Sequence, residues 1–349
     1  MESALNEPMG DSAQLQERVR AHWNQQPCDS EYSAQSRTSR EFYVDIEHQR
    51  YGLQPHILEI MGKIDWRRKK VLEVGAGIAT DARRLIGRGA VYTGINVDPG
   101  STATANQALR LFNLPGQVLE RNATTMDFAD NSFDAIYSFG VLQHIPEIGK
   151  AIGHVHRVLK PGGELLIMLY NRSSINYKIE IMFLRKLGLR ILLLPGALSV
   201  MSALGFPRAK LERHREIFKE RGSMSDQEWL SRNTNGPDYP YCRVYSAKEA
   251  EDMLAGFEII SNEAYFFDYR HWGVLGRLMP NGLRNWLGRH WGWHRIVHAR
   301  KPLTNLASRK AALRSPYSDS AMSAPSRPPA WRRKGTRWWG WTRSRARSH

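Results

Sequence analysis

Residues 71–80 read Val-Leu-Glu-Val-Gly-Ala-Gly-Ile-Ala-Thr: an apolar run carrying an acid, a turn with two glycines, then a helix start. Glycine has no Cβ, so Gly75 and Gly77 let the backbone turn tightly and come close to a bound molecule. Glu73 adds a carboxylate at the carboxyl end of the strand, where open α/β sheets hold their ligands. The spacing departs from that of a dinucleotide turn. A third glycine, counted from Gly75, would fall at position 80, and Thr80 stands there. Thr80 and Asp81 both suit a helix N-terminus, and Asp81 would repel a phosphate placed on it. An acid-bearing turn of this kind fits a ligand that carries no phosphate.

The pattern resembles motif I of class I S-adenosylmethionine-dependent methyltransferases, Glu-x-Gly-x-Gly. Their cofactor has a sulfonium cation and no phosphate. Residues 90–96 (Ala-Val-Tyr-Thr-Gly-Ile-Asn) read as the second strand. In nucleoside-binding α/β folds an acid at this strand's end grips the ribose hydroxyls. Here Asn96 takes that place and can accept one hydrogen bond through its amide oxygen. Asp98, two residues on, points to the same face of an extended chain. The resemblance also puts Asn122, followed by Ala123, where the family has an Asp that holds the adenine amino group. Residues 133–139 (Phe-Asp-Ala-Ile-Tyr-Ser-Phe) read as a buried strand leading into Gly-Val-Leu-Gln-His-Ile-Pro. This resembles motif IV and its loop. It implies that Ser138 belongs to the cofactor site and that His144, facing the methyl group, is the candidate general base.

The elements that must position these residues follow in order. Ile148, Ile152, Val155, Val158 and Leu159 recur at helical spacing, and Lys160-Pro161-Gly162-Gly163 stops that helix. Residues 163–170 read as a fifth strand, 247–254 as a helix, 257–264 as a sixth strand and 294–300 as a seventh. Residues 20–28, 233–237, 243–246 and 292–302 are similar to a bacterial methyltransferase group whose relatives act in quinone biosynthesis and natural-product tailoring. The expected fold is a Rossmann-like, seven-stranded, doubly wound α/β sheet. It has an inserted helical lid and a disordered basic C-terminal tail. The expected divisions are an N-terminal helical segment capping the cofactor site (1–65), the S-adenosylmethionine-binding core (66–171) and a helical insertion or substrate lid (172–246). The remainder of the fold (247–302) and the tail (303–349) follow.

Composition fits that plan. Two cysteines among 349 residues argue against a disulfide framework and supply no metal cluster. The N-terminal stretch is polar and acidic, with no secretory apolar run, so a cytoplasmic location is expected. The net charge of +16 is concentrated in the tail, where residues 303–349 hold 11 of the 50 Lys and Arg but only one acid, Asp319. A mildly basic remainder does not call for a polyanionic partner, so nucleic acid is not expected. Residues 191–207 carry no charge but are broken by Pro195-Gly196, a poor membrane span that suits a pocket lid, core packing or peripheral membrane contact. Three functions compete. The first is methyl transfer to a small-molecule acceptor. The second is methylation of nucleic acid with help from the tail; against it, residues 138–141 lack the Asn/Asp-Pro-Pro-aromatic motif of base amino-methylating enzymes. The third is a non-catalytic protein that kept the fold, suggested by Asn96 and Asn122.

Overall fold

Strand β1 (Lys70–Val74) is buried from Val71 onward, Glu73 included, so its apolar run is that of a strand covered on both faces. In the computed structural model, which describes residues 12–203, 208–222 and 224–303, β1 lies within a seven-stranded sheet. The other strands are β2 (Val91–Asn96), β3 (Gln117–Glu120), β4 (Phe133–Phe139), β5 (Leu159–Tyr170), β6 (Glu258–Tyr265) and β7 (His294–Arg300). Their order is β3-β2-β1-β4-β5-β7-β6, parallel except that β7 runs antiparallel to both neighbours. This is the Rossmann-like arrangement expected. The tail expected to be disordered lies outside the described residues.

Helices cover both faces. They are α1 (Ser12–Gln25), α2 (Arg40–Leu53), α3 (His56–Met61), α4 (Thr80–Gly87), α5 (Pro99–Leu111) and α6 (Ile148–Val158). Helix α6 buries Ala151, Ile152, Val155 and Val158, the stripe its spacing announced. Pro161 and Gly162 do stop α6, but the chain stays extended from Leu159, so β5 starts four residues earlier than expected. A register shift against β4 between Phe133 and Ala135 absorbs the difference. Strand β3 has only four residues, too short for a legible pattern.

Between β5 and β6 the chain inserts helices. A π-helical segment (Asn176–Arg185) runs into α7 (Lys186–Leu192), followed by α8 (Ala197–Ala203), α9 (Arg208–Arg221), α10 (Asp226–Arg232) and α11 (Ala247–Met253). Ile181, Leu189, Leu192, Trp229, Leu230 and Tyr239 give the insertion a small core of its own. Ser246 caps α11 and Glu249 returns the contact to the Ser246 N–H, a reciprocal cap that fixes where the chain re-enters the sheet domain. Helices α12 (Gly273–Leu278) and α13 (Asn281–Trp291) join β6 to β7. Tyr170 and Tyr265, the last residues of β5 and β6, both pair with His294, so insertion and α12–α13 leave the sheet at one rim. That rim is where β1, β2 and β4 also end.

Candidate active site

A crevice opens at this rim, with about 1080 Å³ of empty space including its mouth, lined by the ends of β1, β2 and β4 and by α1 and α2. Its floor is the glycine turn. Gly75 sits at φ +80°, and a Cβ there would overlap the Val141 side chain. Gly77 sits at φ +53° with open space where a Cβ would project. Asn96 holds the turn from below: its amide oxygen accepts from Gly77 N (2.9 Å) and its nitrogen donates to Gly77 O (2.8 Å). Only an amide can do both. Asn96→Asp is therefore expected to loosen the turn, because a carboxylate cannot donate and would face a carbonyl. The expected cost is about 1–3 kcal/mol, measured as a shift in the urea midpoint at constant slope.

Beside the turn lies a buried charge network. Asp81 takes a two-pronged contact from Arg50 (Nε to Oδ1 3.0 Å, Nη2 to Oδ2 2.9 Å) and the hydroxyls of Tyr51 (2.9 Å) and Tyr137 (3.0 Å). Arg50 Nη1 also reaches Asp29 (2.8 Å). Asp81 was expected to serve the helix N-terminus, as was Thr80. Both stand in the first turn of α4, as expected, but neither caps it: Ala79, in the left-handed region, precedes the helix with no side-chain cap, and Asp81 serves Arg50. Thr80 Oγ1 is buried in the crevice wall and has no partner among the described residues. Glu73 accepts from the Tyr92 hydroxyl (2.5 Å). Burial and the nearby Asp81 push its carboxyl up to about 8. The crevice floor thus holds more acid than base.

The other expected site residues divide. Asp98 lines the crevice and caps α5 by accepting from Ser101 N (2.7 Å); burial raises its pKa. Asn122 and Ala123 also line the crevice. The Asn122 oxygen already accepts from both Thr124 N and Thr124 Oγ1 (2.9 Å each), which uses its two lone pairs and turns the amide nitrogen into the group available to a ligand. Ser138 is not brought to the crevice: it is buried, and its hydroxyl donates to Val74 O (2.9 Å), tying β4 to β1.

His144 lies at the far end of the crevice, under an aromatic roof. The rings of Trp23, Tyr170 and Tyr239 are centred 6.0, 5.5 and 5.1 Å from its own. Its Nδ1 faces the Tyr241 carbonyl (3.2 Å), so Nδ1 carries the proton and Nε2 is the acceptor. Two amide nitrogens, of Gln143 and Asn235, stand 3.4 Å from Nε2. Burial lowers the His144 pKa to about 4, which leaves the ring neutral at pH 7. Gln143 Oε1 is fully buried here and has no partner among the described residues. Sequence reasoning missed Arg50's partners and this chamber, because both join residues far apart in the chain. Asn171 and Arg172, at the end of β5, act as latches: Asn171 takes Arg295 Nη2 (2.9 Å) and Arg172 pairs with Glu249 (2.9 Å).

Residues 72–167 match a family model described as a methyltransferase domain. Ubiquinone biosynthesis O-methyltransferase of Alkalilimnicola ehrlichii is 28% identical over 130 residues, 36% of this chain and 51% of that one. Sterol 24-C-methyltransferase erg-4 of Neurospora crassa is 36% identical over 97 residues, 27% of this chain and 26% of that one. This chain therefore spans about half or less of the curated relatives it matches. Among solved structures, magnesium protoporphyrin IX methyltransferase from Synechocystis, with bound SAH, aligns with a TM-score of 0.47 at 13% identity, covering 83% of this chain and 100% of that one. The matched region is a class I S-adenosylmethionine-dependent methyltransferase domain, and S-adenosylmethionine is its cofactor.

Proposed function

We propose that this chain transfers the methyl group of S-adenosylmethionine to a small-molecule acceptor. The observation that carries this reading is a glycine-floored crevice whose wall holds Glu73, Asp81, Asp29 and Asp98 against the cations Arg50 and Arg121. Such a wall favours a cationic ligand. The residues present fit the cofactor: Gly77 leaves room that a side chain would fill, and Thr80 Oγ1 awaits a partner. When bound, the cofactor supplies a methyl group already made electrophilic by its sulfonium.

This chain's residues do the rest. Arg50 still has unused N–H groups and would hold a carboxylate. Asp98 would accept from ribose hydroxyls. The Asn122 amide nitrogen would donate to a ring nitrogen of adenine, with Ala123 against the base. Asn96 and the glycine turn set their spacing. Trp23, Tyr170 and Tyr239 exclude water where the acceptor would sit about 3 Å from the methyl. Neutral His144 would exchange its long amide contacts for an acceptor hydroxyl or amine and take its proton. Gln143 Oε1 would accept a second hydrogen bond and fix the acceptor's orientation. The relatives named for ubiquinone biosynthesis and for sterols support a small-molecule acceptor over nucleic acid.

Calorimetric titration with S-adenosylhomocysteine tests the reading. A micromolar dissociation constant with one site is expected. A folded protein that binds none at millimolar ligand would overturn it.

A further inference from the structure

The insertion and the α12–α13 pair are tied together where they leave the rim. Asn176 Nδ2 donates to the Asp268 carbonyl (3.1 Å), and the Asp268 N–H donates back to Asn176 Oδ1 (3.2 Å). Beyond that tie, both turn apolar side chains to solvent. Ile179, Phe183, Leu187 and Ile191 recur every fourth residue along one side of the helical run and are 44, 61, 46 and 45% exposed. The opposite side, with Ile181, Leu189 and Leu192, packs into the insertion's own core. A surface helix of a globular domain normally puts polar residues outward. On α13, Trp286 and Trp291 are 48 and 43% exposed. An apolar stripe of this length marks an interaction surface rather than a chance exposure.

The charges say which partner. Lys178 and Arg190 flank the stripe, both exposed. Glu180 is the one acid in residues 176–203, and it is buried beside Arg185. We propose that this face docks on an anionic lipid bilayer, with the apolar stripe at the headgroup boundary and the cations on the lipid phosphates. Among the described residues no helix is long and apolar enough to cross a membrane, so the contact is peripheral. The chain's own residues 304–349 are a poor cover, because they are strongly basic and so are the stripe's flanks. A second copy would set like charges against each other for the same reason. The insertion and the α12–α13 pair leave the sheet at the rim where the crevice opens, so an acceptor dissolved in the membrane would enter near His144. That last step rests on the methyl-transfer reading; the docking does not.

The test is co-sedimentation of the full chain with vesicles of phosphatidylcholine alone and of phosphatidylcholine with phosphatidylglycerol. The protein is expected to pellet with the anionic vesicles and to be released by high salt. The double variant Phe183→Glu/Leu187→Glu is expected to bind them about tenfold or more weakly, since each removes apolar insertion and adds like charge. Phe183→Ser/Leu187→Ser, which adds no charge, is expected to fall between. Far-UV circular dichroism and the urea midpoint of every variant report whether the fold is kept. Vesicle binding unchanged in both variants would overturn the proposal and assign membrane affinity to residues outside this face. So would absence of wild-type binding, or a wild-type dimer that the variants dissociate with no vesicle bound. If wild type pellets with vesicles but binds no S-adenosylhomocysteine, the methyl-transfer reading fails and the docking stands.

Discussion

Arg50→Leu is expected to cost about 3–5 kcal/mol of folding stability, the usual penalty for breaking a buried ion pair from one side. Asp81 has a side chain only 4% exposed, and Arg50 contributes two of its four hydrogen bonds. Without the guanidinium, the carboxylate keeps the hydroxyls of Tyr51 and Tyr137, which cannot balance its charge in a dry site. Asp29, at 17% exposure, loses its partner but can turn to water. The chemical-denaturation midpoint reads the loss. The double variant Arg50→Leu/Asp81→Leu is expected to recover most of it, because removing both charges also removes the cost of burying them. If the single change costs under about 1 kcal/mol, or the double change is worse than the single, Arg50 and Asp81 are not coupled in this way. The double variant should still fail to bind S-adenosylhomocysteine, because the crevice wall has lost the guanidinium that would hold the ligand's carboxylate. That result would separate the pair's role in the site from its role in the fold.

The sheet was legible because its signals are local. Gly75 and Gly77 mark a turn by their own backbone freedom, and α6 is marked by its spacing. Strand β3 was not legible, since four residues hold too little pattern. Asp81 was assigned to a helix terminus, and nothing local in the sequence joins it to Arg50. The two lie 31 residues apart on different helices, and no periodicity links them. Asn96 and Asn122 were read through the ligand, as acids weakened to amides. Their contacts are instead with the protein: Asn96 bridges both ends of the Gly77 peptide unit, and Asn122 folds back on Thr124. Ser138 has the right place in the chain and the wrong direction, because successive residues of a strand point to opposite faces. The uncharged stretch of the insertion was open among lid, core and interface. The structure divides the helical run that leads into it, residues 176–192, by face, apolar inside and apolar outside, which composition cannot distinguish.

Glu73 leads to the second large effect. Its carboxyl is held near 8 by burial and by Asp81, above its ordinary value, so at pH 7 the free protein keeps it largely protonated. A cationic ligand in the crevice favours the ionised form. Affinity for S-adenosylmethionine is therefore expected to rise about tenfold between pH 7 and pH 9, as the cost of ionising Glu73 disappears, and then to level off. Binding at pH 7 should release a proton, which calorimetry detects by comparing buffers of different ionisation enthalpy. Folding stability runs the other way. A carboxyl whose pKa is higher in the folded state stabilises the fold below its ordinary pKa, and that contribution is lost as pH rises through about 8. Glu73→Gln should keep the contact with the Tyr92 hydroxyl through its amide oxygen and abolish both slopes. The variant is expected to be more stable than wild type at pH 8 and to bind the cofactor about a hundredfold more weakly, a fixed acid's share of a charged hydrogen-bonded site. A variant that binds as tightly as wild type, or a wild-type affinity flat from pH 7 to pH 9, would mean that Glu73 does not meet the cofactor's charge. The stability gain without a loss of binding would leave the buried acid unexplained. Its persistence in a position where it weakens the fold is what a charged ligand at this turn accounts for.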